Sequence, residues 1–399
     1  MNPPPSLRRY PRLLIFLVFL RLGLISFGGP VAHLGYFRNE FVLRRRWLAE
    51  EDFADLVALC QFLPGPASSQ VGMAIGLSRG GPLGALAAWA GFTLPSALLL
   101  LLFAVGVGFV DAAASGWLQG LKIAAVAVVA RALIGMAQQL CPDLPRRLLA
   151  LLVVPFLLLV PGVSGQLVML AAAGLWGVLF AQAAAQQPAA SAGRATHSRA
   201  LAVAALLLFA LLLVALPLLA LSGDHRSLTL LDSFYRSGAL VFGGGHVVLP
   251  LLQAEMVEPG WMSKDLFLAG YGATQAVPGP LLSFAAYLGA VMGSGSARLG
   301  GAALCLGAIF LPSFLLVIGV LPFWEQLRHN QLVRKALAGI NAAVVGLLGA
   351  AFIHPVLSST IHGAVDLVFA AGALSLCAWH KLPVWLFVGI CGLLGFLLY

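Results

Sequence analysis

Two arginines, two glutamates and two serines occupy matched places in the two halves of this chain, in segments otherwise built of apolar residues. Arg21 lies six residues before Phe27-Gly28-Gly29, and Arg236 lies six residues before Phe242-Gly243-Gly244. A guanidinium is always charged, and its planar fork suits a carboxylate or a tetrahedral oxyanion. In an apolar segment that charge needs a partner or a polar cavity, unless it snorkels toward an interface. Glu40 and Glu255 follow their glycine breaks by roughly three helical turns. Partly buried, either carboxylate could carry protons; at a limb end it could equally pair with a neighbour such as Arg38. Ser69 and Ser283 stand at helix starts, with Ser68 and Gln70 beside the first. Free N–H groups and the helix dipole make such a start an anion site, and a serine there also serves as an ordinary cap.

These side chains are organised by a repeated helix breaker. Gln61-Phe62-Leu63-Pro64-Gly65-Pro66 returns as Gln275-Ala276-Val277-Pro278-Gly279-Pro280. Pro-Gly-Pro cannot continue a helix, because both prolines lack the N–H and glycine restrains nothing. A broken helix in lipid must have its freed backbone groups received by protein or by a water-filled cavity. Two such breaks in corresponding places of two half-chains point to a transporter's binding site. The candidate substrate ligands are therefore the backbone at Gly28, Gly29, Gly65, Gly243, Gly244 and Gly279, and the side chains of Arg21, Gln61, Ser68, Ser69, Arg236, His246, Gln275 and Ser283. Glu40 and Glu255 are the candidates for proton coupling.

The elements that must position these residues are membrane spans. The chain is 61% hydrophobic and 9% charged, with mean hydropathy +0.98, which excludes an ordinary soluble domain. Apolar runs long enough to cross a bilayer include Leu83–Val110, Ala200–Leu221 and Leu299–Leu321. The pattern predicts half-helices over 52–63 and 67–77, further spans over 117–140, 148–160 and 166–181, and a solvated linker over 183–199. The net charge of +9 sits mostly in short loops, so it reads as an orientation signal rather than a nucleic-acid surface. Cys60, Cys141, Cys305, Cys377 and Cys391 show no CxxC spacing, which argues against a disulfide framework or a zinc site. No metal-ligand spacing, nucleophile elbow or Walker loop is present, so an enzyme, a cofactor site and nucleotide-driven pumping are all disfavoured.

The matching continues along both halves. Trp47 pairs with Trp261, Leu94-Pro95-Ser96 with Leu311-Pro312-Ser313, and Ile123–Val129 with Ile340–Gly346. This is a long duplication, with an N-terminal half over 1–182, a linker and connecting span over 183–221, and a C-terminal half over 222–399. One extra span between halves of even crossing number turns the second half over. With the N-terminus inside, the cytoplasmic loops collect Arg8, Arg9, Arg12, Arg44, Arg45, Arg46, Arg79, Arg146, Arg147 and others. The opposite side holds only Lys122, Arg226, Lys264 and Arg298. That asymmetry favours inverted repeats with the C-terminus outside.

Ile25-Ser26-Phe27-Gly28-Gly29-Pro30, Arg45-Arg46-Trp47-Leu48 and Leu63-Pro64-Gly65-Pro66 resemble the N-terminal half of the chromate ion transporter family. The string from Gly238 through Phe242-Gly243-Gly244-Gly245-His246 to Pro250, with Gln275–Pro280, resembles its C-terminal half. The resemblance spans nearly the whole chain, in the two-domain form; Ala67 stands where members often carry an acidic residue. It implies an inner-membrane protein that exports chromate on the proton gradient and gives chromate resistance, with sulfate as competitor. The expected fold is an all-α polytopic membrane protein of two inverted-topology halves with broken or re-entrant helices, joined by a single transmembrane helix. Chromate, protons and the bilayer are its expected partners, and a homodimer is compatible with this reading. Export of another oxyanion or organic acid, or an anion channel, are the alternatives.

Overall fold

Proline and glycine cut the apolar chain into helices before packing arranges them. The computed structural model describes residues 10–107, 116–181, 198–221, 226–295, 297–378 and 382–399, and among these every regular element is helical. The first half holds α1 (Arg12–Ile25), α2 (Gly29–Arg38), α3 (Glu50–Phe62), α4 (Ala67–Val107), α5 (Gly116–Leu140), α6 (Leu144–Leu159) and α7 (Val163–Phe180). After α8 (Arg199–Leu221) come α9 (Arg226–Ala239), α10 (Val248–Met256), α11 (Lys264–Ala276), α12 (Phe284–Val291) and α13 (Ala297–Val320). The chain closes with α14 (Trp324–His329), α15 (Gln331–Ala351), α16 (Ala364–Ala378) and α17 (Val384–Leu398). Among the described residues, α4, α5, α7, α8, α13 and α15 are long and apolar enough to cross a membrane. The linker expected over 183–199 lies outside the described residues except at its last two positions.

Helix α4 departs from the sequence pattern. The spans expected over 67–77 and from Leu83 onward join into α4, which kinks at Gly81 (φ 67°, ψ −163°) just before Pro82. In the second half the matching pieces, α12 and α13, stay separate. Arg79, expected in a loop, is buried within α4 and donates to the Trp47 carbonyl, while its own carbonyl accepts from Tyr10 N at 2.9 Å.

Lipid tails are as apolar as leucine, so helices in a bilayer associate through close backbone approach at small residues. In each half the first limb lies on the helix that carries Leu-Pro-Ser. Gly23 of α1 packs on the Phe92 carbonyl of α4, and Gly238 of α9 packs on the Ile309 carbonyl of α13. The closing helices then cross over. α6 and α7 lie against α15 of the second half, while α16 and α17 lie against α5 of the first. Gly177 meets Lys335 and Gly339, and Gly116 and Gly120 meet Gly395 and Cys391. Lys122 on α5 adds an ion pair with Asp265 at the start of α11, 2.8 Å apart. The division at 183–221 thus separates the sequence but not the packing. Helix α8 leans on α9 and α13, with Tyr235 donating to the Phe209 carbonyl at 3.0 Å, and most of it stays exposed.

The crossover is testable. A side chain on Gly177 would collide with the Lys335 carbonyl, whereas one on Gly174 would make ordinary contact with Ile340 at 3.5 Å. Gly177→Leu is expected to lower stability by about 1–3 kcal/mol, the usual range for overpacking, and Gly174→Ala to have little effect. Thermal unfolding of the purified protein in detergent checks both.

Candidate functional site

The site is assembled from glycines in conformations closed to other residues. Gly28 (φ 98°), Gly29 (φ 80°) and Gly65 (φ 125°) are matched by Gly243 (φ 74°), Gly244 (φ 140°) and Gly279 (φ 106°). An L side chain at such a φ is strained, so glycine is required at each turn. Each Pro-Gly-Pro break then bonds to the other half. Gly65 N donates to the Val241 carbonyl at 2.6 Å, and Gly279 N donates to the Ser26 carbonyl at 2.9 Å. Val241 and Ser26 are the residues immediately preceding the two Phe-Gly-Gly breaks. The Leu-Pro-Ser motifs obey the same exchange, since a Cβ on Gly65 would sit 2.6 Å from Ser313 Oγ and one on Gly279 2.9 Å from Ser96 Oγ.

The helix starts converge. A Cβ on Gly245 would lie 3.3 Å from Leu281 and 3.9 Å from Pro30, which draws the starts of α2, α10 and the segment leading into α12 together. The first turns after Gly28, Gly244 and Pro280 have no side-chain cap. Gly28 and Gly243 are exposed, Gly29 and Gly244 are half-buried, and nothing lies within 4 Å of where a Cβ on Gly29 or Gly244 would sit. Backbone donors therefore border open, accessible space.

Around these starts lie buried polar atoms with no protein partner: Ser26 Oγ, Ser69 Oγ, Gln70 Oε1, Gln275 Nε2 and Ser313 Oγ. Buried polar groups are nearly always satisfied, so such a cluster calls for a ligand or water. Gln70 Nε2 is held by the Pro64 carbonyl at 2.7 Å. His33 Nε2 donates to the Ser26 carbonyl at 3.1 Å, which leaves neutral His33 Nδ1 to accept from the Ser68 hydroxyl at 3.3 Å. His246 Nδ1 lies 2.9 Å from the Tyr271 hydroxyl. Ser283 donates locally to the Pro280 carbonyl at 2.6 Å. Ser26, His33, Ser96, Ser313 and Tyr271 join the expected residues here. The Leu-Pro-Ser repeat was the available signal for two of them, but sequence matching does not show which half receives each serine.

The matched charges separate into unlike pairs. Arg236 Nη2 contacts Asp232 Oδ2 at 2.7 Å and Glu255 Oε1 at 3.2 Å, so two buried carboxylates share one guanidinium. Arg236 is thereby committed to carboxylates rather than to an anion at the breaks. Glu40 shows the opposite balance, with Arg45 Nε at 2.6 Å and Arg44 Nη1 at 3.0 Å around one carboxylate. It lies in a π-helical turn over Asn39–Arg44. Arg21 is exposed on α1 and Gln61 is exposed at the end of α3, so the structure brings neither into the buried cluster. A cavity of about 600 Å³ lies nearby, but its lining holds no cation and no hydroxyl, which rules it out as the anion site.

A family model described as chromate transporter matches residues 13–178 and 228–396, one stretch in each half. The chain belongs to the chromate transporter family. It is 32% identical over 410 residues to a chromate transport protein of Pseudomonas aeruginosa, covering 100% of this chain and 94% of that one. A chromate transport protein of Cupriavidus metallidurans is 25% identical over 403 residues, with 96% and 92% covered. An uncharacterized transporter of Methanocaldococcus jannaschii is 26% identical over 354 residues, with 85% and 83% covered. No solved structure matches. The family match begins within α1 and resumes within α9, so both Phe-Gly-Gly and both Pro-Gly-Pro breaks fall inside it.

Proposed function

We propose that this member of the chromate transporter family is a secondary transporter that exports chromate from the cytoplasm across the inner membrane, driven by the proton gradient, and so confers chromate resistance. The observation that carries this reading is the meeting of uncapped helix starts from both halves among buried polar atoms that have no protein partner. A tetrahedral oxyanion accepts hydrogen bonds on every face, and backbone N–H groups with serine hydroxyls and the Gln275 amide supply them without a fixed cation. Sulfate has the same shape and charge and competes. Glu255, beside Asp232 on one arginine, is the proton carrier; Glu40, between two arginines, is structural.

The two halves are inverted repeats, with the N-terminus cytoplasmic and the C-terminus outside. Alternating access rocks one against the other around the interlocked breaks. A dianion leaving a negative cytoplasm gains about 2.3 kcal/mol per charge per 100 mV from the potential, which lowers the coupling that protons must provide. Chromate flux into everted vesicles, measured with and without an imposed proton gradient, tests the reading. Saturable uptake that collapses with the gradient and is inhibited by sulfate is the expected result. Unsaturable conductance independent of the gradient would mark a channel instead.

A further inference from the structure

The apolar cavity beside the breaks has a use of its own. It is formed by α4, α5, α11 and α17, holds about 600 Å³, and its lining includes no charged side chain. Its floor is buried, with Leu100 0%, Val388 1% and Leu121 7% exposed, while Leu393 and Phe396 at its mouth are 61% and 67% exposed. α4 and α5 are long and apolar enough to cross a bilayer, and α17 beside them is an apolar helix, so an apolar mouth between them suits hydrocarbon rather than water. Water gains nothing in an apolar space without polar partners. Trp117 and Trp385 also border the cavity, and the indole is the ring that anchors at the headgroup level.

The cavity also touches one of the two interlocks. Ala276 and Val277 line it and lead directly into Pro278-Gly279-Pro280. Trp385 packs on Phe27 at 6.2 Å between ring centroids, next to Ser26, whose carbonyl accepts from Gly279. From this placement we infer that a phospholipid acyl chain occupies the cavity and lies against the interlock between the second Pro-Gly-Pro and the first Phe-Gly-Gly. The inference concerns lipid binding and does not depend on the transported anion.

The test uses the full chain in phosphatidylcholine vesicles doped with a phosphatidylcholine that carries a diazirine at the end of one acyl chain. After illumination, peptide mass spectrometry should find label on Leu100, Leu121 and Val388, as well as on exposed α8 residues such as Leu211. Nothing lies within 4 Å of a Cβ on Gly389, so the ring of Gly389→Phe projects into the cavity without meeting backbone. That variant should lose the floor label several-fold and keep the α8 label. Gly392→Leu, whose Cβ would meet only Leu121 at 3.8 Å, provides a second filled cavity should the first fail to fold. Label confined to the mouth and α8, or floor label unchanged in the filled variants, overturns the inference.

Discussion

Glu255→Gln is expected to reduce gradient-driven chromate flux by more than about tenfold, a change that needs only about 1.4 kcal/mol, while chromate–chromate exchange persists. Arg236 faces Asp232 at 2.7 Å and Glu255 at 3.2 Å, and the two carboxylate side chains are only 7% and 9% exposed. With both ionised the cluster carries one surplus negative charge in a poorly solvated place, and one proton removes it. On the proposed coupling role, a proton taken up there would loosen one of the two carboxylates from Arg236, and with Glu255 the contact between α9 and α10. Glutamine mimics the protonated state permanently and leaves Arg236 and Asp232 balanced, so the fold survives while the cycle loses its proton step. Arg236→Gln is different, because it strands two buried carboxylates and should destabilise by about 3–5 kcal/mol. Glu40→Gln serves as the control. Glu40 is 10% exposed, much like Glu255, but its partners Arg44 and Arg45 are 56% and 28% exposed, so water takes up the charge of the arginines that the substitution leaves unpaired and coupled flux stays near wild type. Flux and exchange measured side by side in vesicles decide the matter. Equal loss of both in a Glu255→Gln protein of normal thermal stability would remove Glu255 from coupling.

The breaks, the spans and the duplication were legible in the sequence because proline and glycine act locally, whatever surrounds them. Partner choice was not. Arg21 and Arg236 match by position, yet Arg236 has Asp232 one turn earlier where the first half has Leu17, which is 50% exposed. Helices α8 and α10 cover α9, and α8 has no counterpart in the first half, so one arginine is enclosed and the other is left outside. Glu40 and Glu255 part company for a similar reason: the π-helical turn over Asn39–Arg44 presents Glu40 to its own neighbours, whereas α10 carries Glu255 to α9. Apolar periodicity shows that a helix has a face to bury, but not which helix covers it. The exchange of α6 and α7 for α16 and α17 could not be read that way. Nor could the delivery of Ser96 and Ser313 to the opposite half.

Gly65→Ala is expected to have the largest structural effect of any single methyl added to this chain's breaks, and its partial repair identifies the interlock. At φ 125° an alanine carries backbone strain of about 1–3 kcal/mol. Its Cβ would also collide with the Gln70 amide and sit 2.6 Å from Ser313 Oγ, adding about 1–3 kcal/mol of crowding. Gln70 is held to the Pro64 carbonyl at 2.7 Å, and Ser313 is wholly buried, so neither moves away freely. Gly29→Ala separates the two costs, because its φ is 80° but nothing lies within 4 Å of the new methyl. It should therefore fold with a smaller loss of stability, and weaken chromate binding by narrowing the space before the α2 start. The decisive variant is Gly65→Ala with Ser313→Gly. Removing the serine from the other half relieves its share of the crowding but neither the Gln70 collision nor the backbone strain, so thermal stability should recover in part. Ser96→Gly, which empties the equivalent place beside Gly279, should give no such recovery. If Ser96→Gly repairs Gly65→Ala as well as Ser313→Gly does, the serines are interchangeable packing and the reciprocal pairing of break and motif is wrong. If only Ser313→Gly does so, the serine of the second half is packed specifically into the break of the first.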